Sequence, residues 1–534
     1  MDVFIRRQRI QSCKTWIDRA LIAEAFFIAI LPNAAVIALI LGIFAWIIRL
    51  RLDRKFTLRQ LPLDFPVALF ALISFASTFN STSIGFSLLS WFETVGFYIA
   101  TYIFFGQNLR TLDQIKNISI ALFASAGFVV LYSIYQIFFG LDTAELPWLD
   151  PKIQPTARNR IYSTWTNPNL LAGYLDVCIC LAIGIIENAS DWMKQSIFTL
   201  AIITFAILLS LTFSRAAILT FAIISIVYGL KFDRRLIALF AVISIGILYF
   251  EPGLVERLLS SFDFDDDQSS IALRASLWQS TLLMISDHPF LGVGWGSYRF
   301  AFEPYNFLLN QSHSSAEIFN ASNLYLNFAA EIGIAGMISI LWCVAEPIII
   351  AFRLEWLEEK IQAFRIRIQT FIKIKVMKFF TPPDEKIPDR PKVDLKKHPK
   401  IESKIEDQIE KSPEQKKSLE VQSSDKSSDQ SPRATVISFE QKRHEKISEQ
   451  MSEGSIRDRL KTNLRIENLF NWTETELFNG LRLGIGLALI SILINGFAYD
   501  LPSNFASAVF IWILISILIC VNEIDFSDDI ESKL

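Results

Sequence analysis

The chain has 534 residues, of which 52% are hydrophobic and only 20% are charged, with a net charge of −3. This composition excludes an ordinary soluble globular protein, because apolar windows of roughly 20 residues, long enough to span a bilayer, recur along the chain. We therefore predict an all-α polytopic membrane protein with about twelve transmembrane helices. The five cysteines lie in or beside apolar segments without CxxC spacing and are interpreted as small buried hydrophobic residues.

Twelve apolar windows are predicted to be the transmembrane helices. In chain order they are 20–32, 34–49, 63–79, 86–106, 118–140, 168–186, 196–213, 215–230, 235–250, 323–351, 478–497 and 503–521. The first two windows could form one long helix containing Pro32, or two helices broken at Pro32-Asn33. Basic residues flank this pair on both sides, and the positive-inside bias draws both flanks to the cytoplasm. Two crossings are therefore favoured, and both chain termini are expected to be cytoplasmic.

This register divides the chain into segments on alternate sides of the membrane. They are a cytoplasmic N-terminus (1–19), nine transmembrane helices (20–250), a large external loop (251–322), a tenth helix (323–351), a charged cytoplasmic insert (352–475), two further helices (476–521) and a cytoplasmic tail (522–534). The insert is rich in Lys, Glu, Ser and Pro, and such a segment buries too little apolar surface to offset its ordering entropy. We expect it to be largely disordered, although its basic and apolar start is typical of an amphipathic helix on the membrane surface. A regulatory tail and a tolerated insertion are both open as its role.

The external loop differs from the insert in kind. Its stretch "IALRASLWQSTLLMISDHPFLGVGWGSYRFAFEPYN" has helical spacing, aromatic residues and a glycine-rich turn, which predict a folded, partly helical loop. The sequence "GVGWG" has no readable strand before it, so it is interpreted as a tight turn with aromatic anchors and not as a nucleotide loop. The acidic run "FDFDDD" lacks the alternation and the glycine of a calcium loop, and no metal site is predicted.

Four of the arginines that are predicted to lie on the external side are candidate ligands for an anion. Arg215 falls in the middle of "LSLTFSRAAILTFAI", at the junction of the seventh and eighth predicted helices. An arginine at the centre of a transmembrane helix costs roughly 2.5–3.5 kcal/mol, so its presence indicates an anionic partner. Arg158, Arg160 and Arg274 lie in external loops, and planar guanidinium groups on one face are a good receptor for a diphosphate. Two plainer explanations stay open: snorkelling of Arg215 to the headgroups, and pairing of Arg274 with the acidic run.

Polar and aromatic residues near these arginines are further candidates for binding. Asn167 and Asn169 flank Pro168 where a helix begins, and they either cap that helix or donate an amide to a sugar or phosphate. His288, just before Pro289, is interpreted as structural. Four aromatic residues are predicted to stack on sugars: Trp165, Trp278, Trp295 and Tyr298.

Several motifs, in their order along the chain, resemble one family. They are "TFSRAAI", "RASLW", "DHPFLGVGWGSY" and "ASNLYLNFAAEIGIAGM". With the large external loop between the ninth and tenth spans, they resemble the O-antigen ligase and polymerase superfamily over residues 20–350 and again over the last two spans. The resemblance implies transfer of a glycan from an undecaprenyl-diphosphate carrier to a saccharide or lipid acceptor, at the outer face of the bacterial inner (plasma) membrane. It further implies that Arg215 and Arg274 hold the diphosphate, with Arg160 as a weaker candidate, and that no cofactor, metal or nucleic acid takes part.

The chain departs from the ligase pattern at one place. Ligases of this superfamily show a histidine-bearing motif before "LYL", where this chain has Asn320 and Ser322. An acceptor hydroxyl needs a base within about 2.6–3.2 Å, and neither Asn nor Ser takes up a proton near neutral pH. His313, Glu303 and Glu317 lie nearby as possible substitutes. This departure favours polymerase-type members over ligation to lipid A.

The sequence thus predicts a metal-independent membrane glycosyltransferase of the O-antigen polymerase or ligase type. The catalytic candidates are Arg215, Arg274 and His313, and the substrate-binding candidates are Arg158, Arg160, Asn167, Asn169, Trp278, Ser322 and Asn323. The first alternative is an anion transporter, because the superfamily includes putative bicarbonate transporters and an arginine-lined site suits a small anion. Carboxylates within the membrane would support transport, and the sequence shows only Glu24 and Glu346 in or near the predicted spans. The second alternative is a non-catalytic member that binds the lipid carrier or an assembly partner.

Overall fold

The computed structural model describes residues 2–140, 160–231, 237–238, 241, 270–305, 320–354, 472–499 and 504–531. Over these ranges the regular structure is helical and contains no strand, which confirms the all-α prediction. The chain divides into two compact units, and the described residues belong to the one formed by Met1–Ile361 and Ile466–Leu534. The ninth predicted window, the acidic run and nearly all of the predicted cytoplasmic insert lie outside the described residues.

The helices of the described ranges are numbered in chain order. They are α1 (Asp2–Phe27), α2 (Pro32–Leu52), α3 (Asp64–Ser77), α4 (Ile84–Trp91), α5 (Phe97–Asn108), α6 (Leu112–Phe139), α7 (Pro168–Asn188), α8 (Trp192–Leu211), α9 (Arg215–Lys231), α10 (Ser270–Asp287), α11 (Tyr298–Ala301), α12 (Leu324–Ala351), α13 (Glu474–Asn495) and α14 (Phe505–Glu531). A π-helical turn, Phe92–Gly96, joins α4 to α5, so that the two form one continuous segment. Short 3-10 turns lie at Thr78–Asn80, Ser163–Trp165 and Glu303–Tyr305.

Eight helical segments of the described residues are long and apolar enough to cross a membrane. They are Pro32–Leu52, Ile84–Asn108, Leu112–Phe139, Pro168–Asn188, Trp192–Leu211, Leu324–Ala351, Glu474–Asn495 and Phe505–Ile524. Helices α3 and α9 belong to shorter apolar segments. The protein is therefore an integral membrane protein, while the full number of twelve spans stays a prediction.

The first two predicted windows are two helices and not one. Helix α1 ends at Phe27, and Pro32 occupies the first turn of α2, where its missing N–H costs nothing. The helices run antiparallel, since Arg6 near the start of α1 donates from Nε (2.8 Å) and Nη2 (2.6 Å) to the Leu52 carbonyl oxygen at the end of α2. Helix α1 begins at Asp2, before the predicted window, because the helix continues through the basic residues that precede the apolar stretch.

Polar side chains fix where several helices begin. Thr111 before α6 and Thr473 before α13 each form a capping box, with Gln114 and Glu476 as the reciprocal partners. In a capping box, two backbone N–H groups that lack helical partners are satisfied at once, so each helix has a defined first residue.

Close backbone contact between α7 and α13 forms the centre of the bundle. A Cβ atom on Gly184 of α7 would collide with the backbone of Gly480 and Gly484 on α13. Small residues let transmembrane helices approach in this way. Helix α14 is also central, since 89% of its apolar window is buried, whereas only 17% of the α2 window is buried. Helices α7, α13 and α14 thus form the core, and α2 lies at the periphery.

Helix α12 is interrupted at Gly333, whose φ of 73° and ψ of 173° are not helical. The glycine-rich turn 288–296 fills the interruption: Val293 N donates to the Ala330 carbonyl oxygen at 2.8 Å, and Ile334 N donates to the Pro289 carbonyl oxygen at 2.9 Å. The three glycines of the turn all have positive φ, a conformation that L side chains rarely adopt. The prediction of a tight structural turn is therefore confirmed.

Candidate functional site

Several helix ends meet at one end of the described bundle, which we call the site end. Helices α7, α9 and α12 begin there, and helices α8 and α13 end there. The site end is defined by direct contacts between these termini and by one contact from α10. The candidate residues are described below in the order in which these contacts join them.

Arg160 joins the start of α7 to the end of α8. The side chain is half-buried; its Nε donates to the Thr212 carbonyl oxygen at 2.7 Å, and its Nη2 donates to Asn169 Oδ1 at 2.6 Å. The neighbouring Asn167 caps α7, because its Oδ1 accepts from the Asn169 backbone N at 2.8 Å. Of these three predicted binding residues, Arg160 and Asn169 bind each other, and Asn167 orders the helix start.

A tight turn places Arg215 at the first position of α9. Phe213 has a left-handed φ of 51°, and Ser214 N donates to Thr212 Oγ1 at 3.2 Å, so the chain reverses within three residues. The same Thr212 supplies the carbonyl oxygen that Arg160 binds. Arg215 is half-buried and follows Ser214 directly, which brings it to the same end of the bundle as Arg160.

Tyr499, just beyond the end of α13, connects α9 to α10. Ser214 Oγ donates to the Tyr499 hydroxyl oxygen at 3.3 Å, and the Arg274 guanidinium carbon lies 5.0 Å from the centroid of the Tyr499 ring. A guanidinium group at this distance is attracted by the negative face of the ring, which orients it without using its hydrogen-bond donors. These contacts therefore bring Arg160 and Arg274 to one group of helix ends, where Arg215 directly follows Ser214 in the chain.

Tyr499 is a residue that the sequence analysis did not identify. It lies in the short link "AYDLPS" between the last two predicted helices. The sequence alone gives little reason to single out this tyrosine, because tyrosines at helix ends of membrane proteins are common at the lipid interface. Only the contacts with Ser214 and Arg274, more than 200 residues away in sequence, distinguish it.

The start of α12 lies against the end of α13 at the same place. Asn323 caps α12, since its Oδ1 accepts from Tyr325 N at 3.0 Å, while its Nδ2 donates to the Phe497 carbonyl oxygen at 3.0 Å. Leu324 N donates to the Gly496 carbonyl oxygen at 2.7 Å. Ser322 precedes the cap, is half-buried and has a left-handed φ of 48°. Asn323 is thus used to order the backbone, and Ser322 is the partly accessible residue of the pair.

Trp278 lies one turn after Arg274 on α10. Its ring is half-buried, and its buried Nε1 has no hydrogen-bond partner among the described residues. Burying a tryptophan N–H without an acceptor costs free energy in an apolar environment. Trp278 Nε1 is therefore a donor that still lacks an acceptor among the described residues. Because residues four apart lie on one face of a helix, Trp278 and Arg274 face the same side of α10.

Trp295 and Tyr298 are packing residues, and the prediction that they stack on sugars is wrong. Trp295 is 6% exposed and donates from Nε1 to Thr94 Oγ1 at 2.7 Å. Tyr298 is fully buried, and its hydroxyl shares a hydrogen bond of 2.7 Å with Thr281 Oγ1. Burial raises the pKa of Tyr298 above its ordinary value, and the bond with Thr281 offsets part of that rise. Both rings are packed inside the protein and hold the glycine-rich turn in place.

The predicted bases are not tested by the structure. Arg158, His313 and Glu317 lie outside the described residues. Glu303 is exposed at the start of its 3-10 turn. Within the described ranges, no group of three or more His, Cys, Asp or Glu side chains could hold a metal ion.

Two buried carboxylates within the spans were also missed by the sequence analysis. Asp176 on α7 is 1% exposed, and Glu331 on α12 is 7% exposed. Glu331 Oε2 accepts from Gly296 N at 3.0 Å and so fastens the glycine-rich turn to the interruption in α12. Asp176 Oδ2 accepts from Asn495 Nδ2 at 2.8 Å, and its Oδ1 has no hydrogen-bond partner within the described part of the chain. A single acid hardly changes the mean hydropathy of a long apolar window, which is why both escaped notice.

The comparisons with known proteins bear on the same region of the chain. Residues 200–341 match the family model described as O-antigen ligase. This segment contains Arg215, Arg274, the glycine-rich turn and the interruption of α12. A search of curated proteins finds no match to the chain. The family match supports the resemblance drawn from the motifs: residues 200–341 of this integral membrane protein are similar to the O-antigen ligase family.

Proposed function

We propose that the protein is a membrane glycosyltransferase of the O-antigen polymerase or ligase type. It takes a glycan from a polyprenyl-diphosphate donor at the periplasmic face of the bacterial inner membrane and transfers it to a saccharide or lipid acceptor. One observation supports the proposal: contacts of Thr212, Ser214 and Tyr499 link Arg160 and Arg274, which are far apart in sequence, to the turn that directly precedes Arg215. A group of linked polar and basic side chains at one end of a helix bundle suits a ligand with two or more negative charges.

Helix directions add to the positive potential at the site end. Helices α7, α9 and α12 all begin there, and a helix N-terminus carries roughly half a positive charge. Arg215 is the first residue of α9, so its charge and the helix dipole act at the same point. Unpaired backbone N–H groups at helix starts are also ready donors to phosphate oxygens. The potential therefore favours a diphosphate over a neutral sugar alone.

The three arginines have different roles in this scheme. Arg160 uses Nε and Nη2 to bind Thr212 and Asn169, so it orders the two helix ends. Arg274 rests on the Tyr499 ring, an arrangement that orients the guanidinium group and leaves its planar edge to bind oxygen atoms in pairs. We assign the diphosphate to Arg274 and Arg215, with Arg160 supporting them.

The reaction is a nucleophilic displacement at the anomeric carbon of the donor sugar. The acceptor oxygen forms a bond to that carbon as the bond to the diphosphate oxygen breaks, and the electron pair leaves with the diphosphate. Arg215 and Arg274 stabilise the negative charge that develops there, an effect typically worth about 10²–10³ in rate for one well-placed donor. The acceptor proton passes to a base, for which His313, Glu303 and Glu317 are the candidates.

The alternation of helix directions supports a periplasmic location for the site. Helices α7, α9 and α12 correspond to the sixth, eighth and tenth predicted spans, each of which is expected to begin outside. Helices α8 and α13 correspond to the seventh and eleventh, which are expected to end outside. The contacts at the site end join those same termini, as a consistent external face requires.

A second candidate, anion transport, is favoured by one observation. The sequence analysis named carboxylates within the membrane as support for transport, and Asp176, Glu331 and Glu24 are buried carboxylates of this kind. Two of them are bonded locally, because Glu331 binds Gly296 N and Glu24 Oε1 accepts from Thr101 Oγ1 at 2.8 Å. An anion path lined by carboxylates would repel its cargo, so the glycosyltransferase is the better supported function.

The test compares arginine variants in a strain that lacks the native gene. Arg215→Ala and Arg274→Ala are expected to reduce chain extension or ligation of surface polysaccharide on gels at least 100-fold, because the leaving group loses its charge partner. Arg299→Ala is the matched control, since Arg299 is exposed, lies over Phe86 and Phe300, and takes no part in the contacts that define the site end.

Two outcomes would count against the enzyme. Normal glycan in the Arg215→Ala and Arg274→Ala strains, at wild-type protein levels, would remove the diphosphate from these residues. Unchanged glycan together with reduced bicarbonate uptake in the deletion strain would assign the protein to transport. Loss of glycan in all three variants, the Arg299→Ala control included, would point to general damage and contradict a specific arginine site.

A further inference from the structure

Asp176 and Asn495 form a polar pair inside the membrane-spanning core. Asp176 Oδ2 accepts from Asn495 Nδ2 at 2.8 Å, and each residue is 1% exposed. The pair joins α7 to α13, the two helices that touch backbone to backbone at Gly184 and Gly484. It lies on the site side of that glycine contact, because Asn495 is the last residue of α13.

The bonding of the pair is incomplete. Asp176 Oδ1, Asn495 Oδ1 and Ser491 Oγ are all buried and have no hydrogen-bond partner among the residues that the structure describes. Ser491 and Asn495 lie one turn apart, so they occupy the same face of α13. Buried polar atoms in native proteins nearly always have a partner, and such exceptions call for an explanation. Burying a carboxylate against one neutral donor costs more than the single bond returns, so stability does not account for the pair.

Backbone hydrogen bonds and side-chain contacts connect the Asp176–Asn495 pair to the candidate site. The Asn495 carbonyl oxygen accepts from Tyr499 N at 2.9 Å and from Ala498 N at 2.9 Å, so the turn that carries Tyr499 is anchored on Asn495. Tyr499 in turn contacts both Arg274 and Ser214. On the other side, Asp176 belongs to α7, whose first residues include Asn169, the partner of Arg160. A shift of α13 against α7 would therefore move Tyr499 relative to Arg160.

We propose that Asp176 is a positioning residue for the donor site. Its hydrogen bond to Asn495 fixes the end of α13, so that Tyr499 holds Arg274 at the place where the diphosphate binds. This inference rests on the proposed function, because it assigns Asp176 a role in binding the donor of that reaction. The role needs an oxygen that accepts from Asn495 Nδ2, and an Asn at 176 keeps that oxygen.

The test measures the affinity of the purified full chain for undecaprenyl diphosphate, which contains the proposed leaving group without a sugar. Asp176→Leu removes the acceptor at similar volume and is expected to weaken binding at least tenfold. Asp176→Asn keeps the acceptor and is expected to weaken binding less than threefold. The exchange Asp176→Asn with Asn495→Asp restores one donor and one acceptor across the pair and is also expected to bind within threefold of wild type.

A coupling measurement separates positioning from a general loss of structure. Asp176→Leu combined with Arg274→Ala is expected to bind no more weakly than Arg274→Ala alone, because Asp176 acts through Arg274. Independent damage would instead give the product of the two losses. Asn495→Ala, which breaks the same bond from α13, serves as a second variant in case Asp176→Leu yields too little folded protein, and it is expected to show the same coupling.

The outcomes distinguish this inference from the proposed function. If Arg274→Ala itself binds undecaprenyl diphosphate normally, the donor site is elsewhere and the proposed function fails. If Arg274→Ala weakens binding while Asp176→Leu and Asn495→Ala do not, or if the losses multiply, only the positioning role fails. Loss of binding in Asp176→Asn and in the exchanged pair would also overturn it, since the carboxylate charge and not the hydrogen bond would then be required.

Discussion

Two buried carboxylates on the central helices, Glu476 and Asp176, differ sharply in how they are bonded. Glu476 at the start of α13 accepts from Lys194 Nζ at 3.1 Å, from Ser190 N at 2.9 Å and from Thr473 N at 3.2 Å, and it also binds the Ser190 hydroxyl. Asp176, towards the other end of the α7–α13 contact, accepts only from Asn495.

The difference separates a carboxylate that holds two helices together by its charge from a carboxylate whose proposed role is to position the site through a hydrogen bond. Glu476 is satisfied by a cation and by three other donors of the chain, so removing it would break a buried ion pair. Asp176 has no such set of partners, and an ionisable residue within the membrane that is not retained for stability marks function. The ends of the α7–α13 contact thus differ. The Glu476 cluster stabilises one end, and the incompletely bonded pair of Asp176 and Asn495 lies near the site end.

The largest effect on stability is expected when the cluster of polar side chains around Glu476 is broken. Glu476→Leu removes the carboxylate from the buried ion pair with Lys194, and breaking a buried pair on one side typically costs about 3–5 kcal/mol. Thermal unfolding of the detergent-purified protein is expected to show a large fall in midpoint. The double variant Lys194→Met with Glu476→Leu is the control, and it should recover most of that loss. Equal instability of the single and double variants would show that the ion pair is not the reason.

The next effect concerns the link between α7 and α8 at the site end. Arg160→Ala removes both charge-assisted hydrogen bonds, to the Thr212 carbonyl oxygen and to Asn169 Oδ1, and is expected to destabilise the protein by about 2 kcal/mol. Arg160→Lys keeps the charge and one donor, and a smaller fall in the unfolding midpoint is expected. If the two variants were equally stable, the forked geometry of the guanidinium group would be unimportant.

A smaller effect is expected from the aromatic support of Arg274. Tyr499→Leu keeps an apolar side chain but removes the ring face, and a cation–π contact is worth about 0.5–2 kcal/mol. Binding of undecaprenyl diphosphate should weaken about five- to tenfold, with little change in unfolding midpoint. A variant with normal affinity would mean that Arg274 finds its position without Tyr499.

The smallest effect tests the hydroxyl of the same residue. Tyr499→Phe keeps the ring under Arg274 and removes only the hydrogen bond from Ser214, which is long at 3.3 Å. Because a neutral bond of this kind contributes about 0.5–1.5 kcal/mol at most, the affinity for undecaprenyl diphosphate should fall less than threefold. A loss as large as that of Tyr499→Leu would move the function from the ring to the hydroxyl.

Much of the fold was predictable because it follows from local pattern. Apolar windows located most of the described helices, and Pro32 together with the flanking charges indicated two helices at the N-terminus. The capped starts at Asn167 and Asn323 are also local, since a helix cap depends on residues within one turn. The interruption at Gly333 was not predicted, because it depends on a turn that comes from 40 residues earlier in the chain.

The candidate site was predictable only in part. The grouping of Arg160, Arg215 and Arg274 followed from their expected sidedness and from the family resemblance, and the contacts through Thr212 and Tyr499 now support it. Tyr499 and Asp176 escaped because their partners are hundreds of residues away, so no spacing in the sequence reveals them. Burial of Trp295 was equally hidden, since an aromatic residue in a polar loop looks the same whether it packs inward or binds a sugar.

The contact of α12 with the end of α13 joins two parts of the chain that are far apart in sequence. The backbone bond from Leu324 to Gly496, and the bond from Asn323 to Phe497, join two stretches that flank the separate unit Gln362–Arg465. The matched domain ends at residue 341, yet Tyr499 completes its arginine cluster. The end of α13 thus belongs to the candidate site although it lies outside the matched residues, so a polypeptide divided within residues 362–465 would form this site only where its two pieces reassociate.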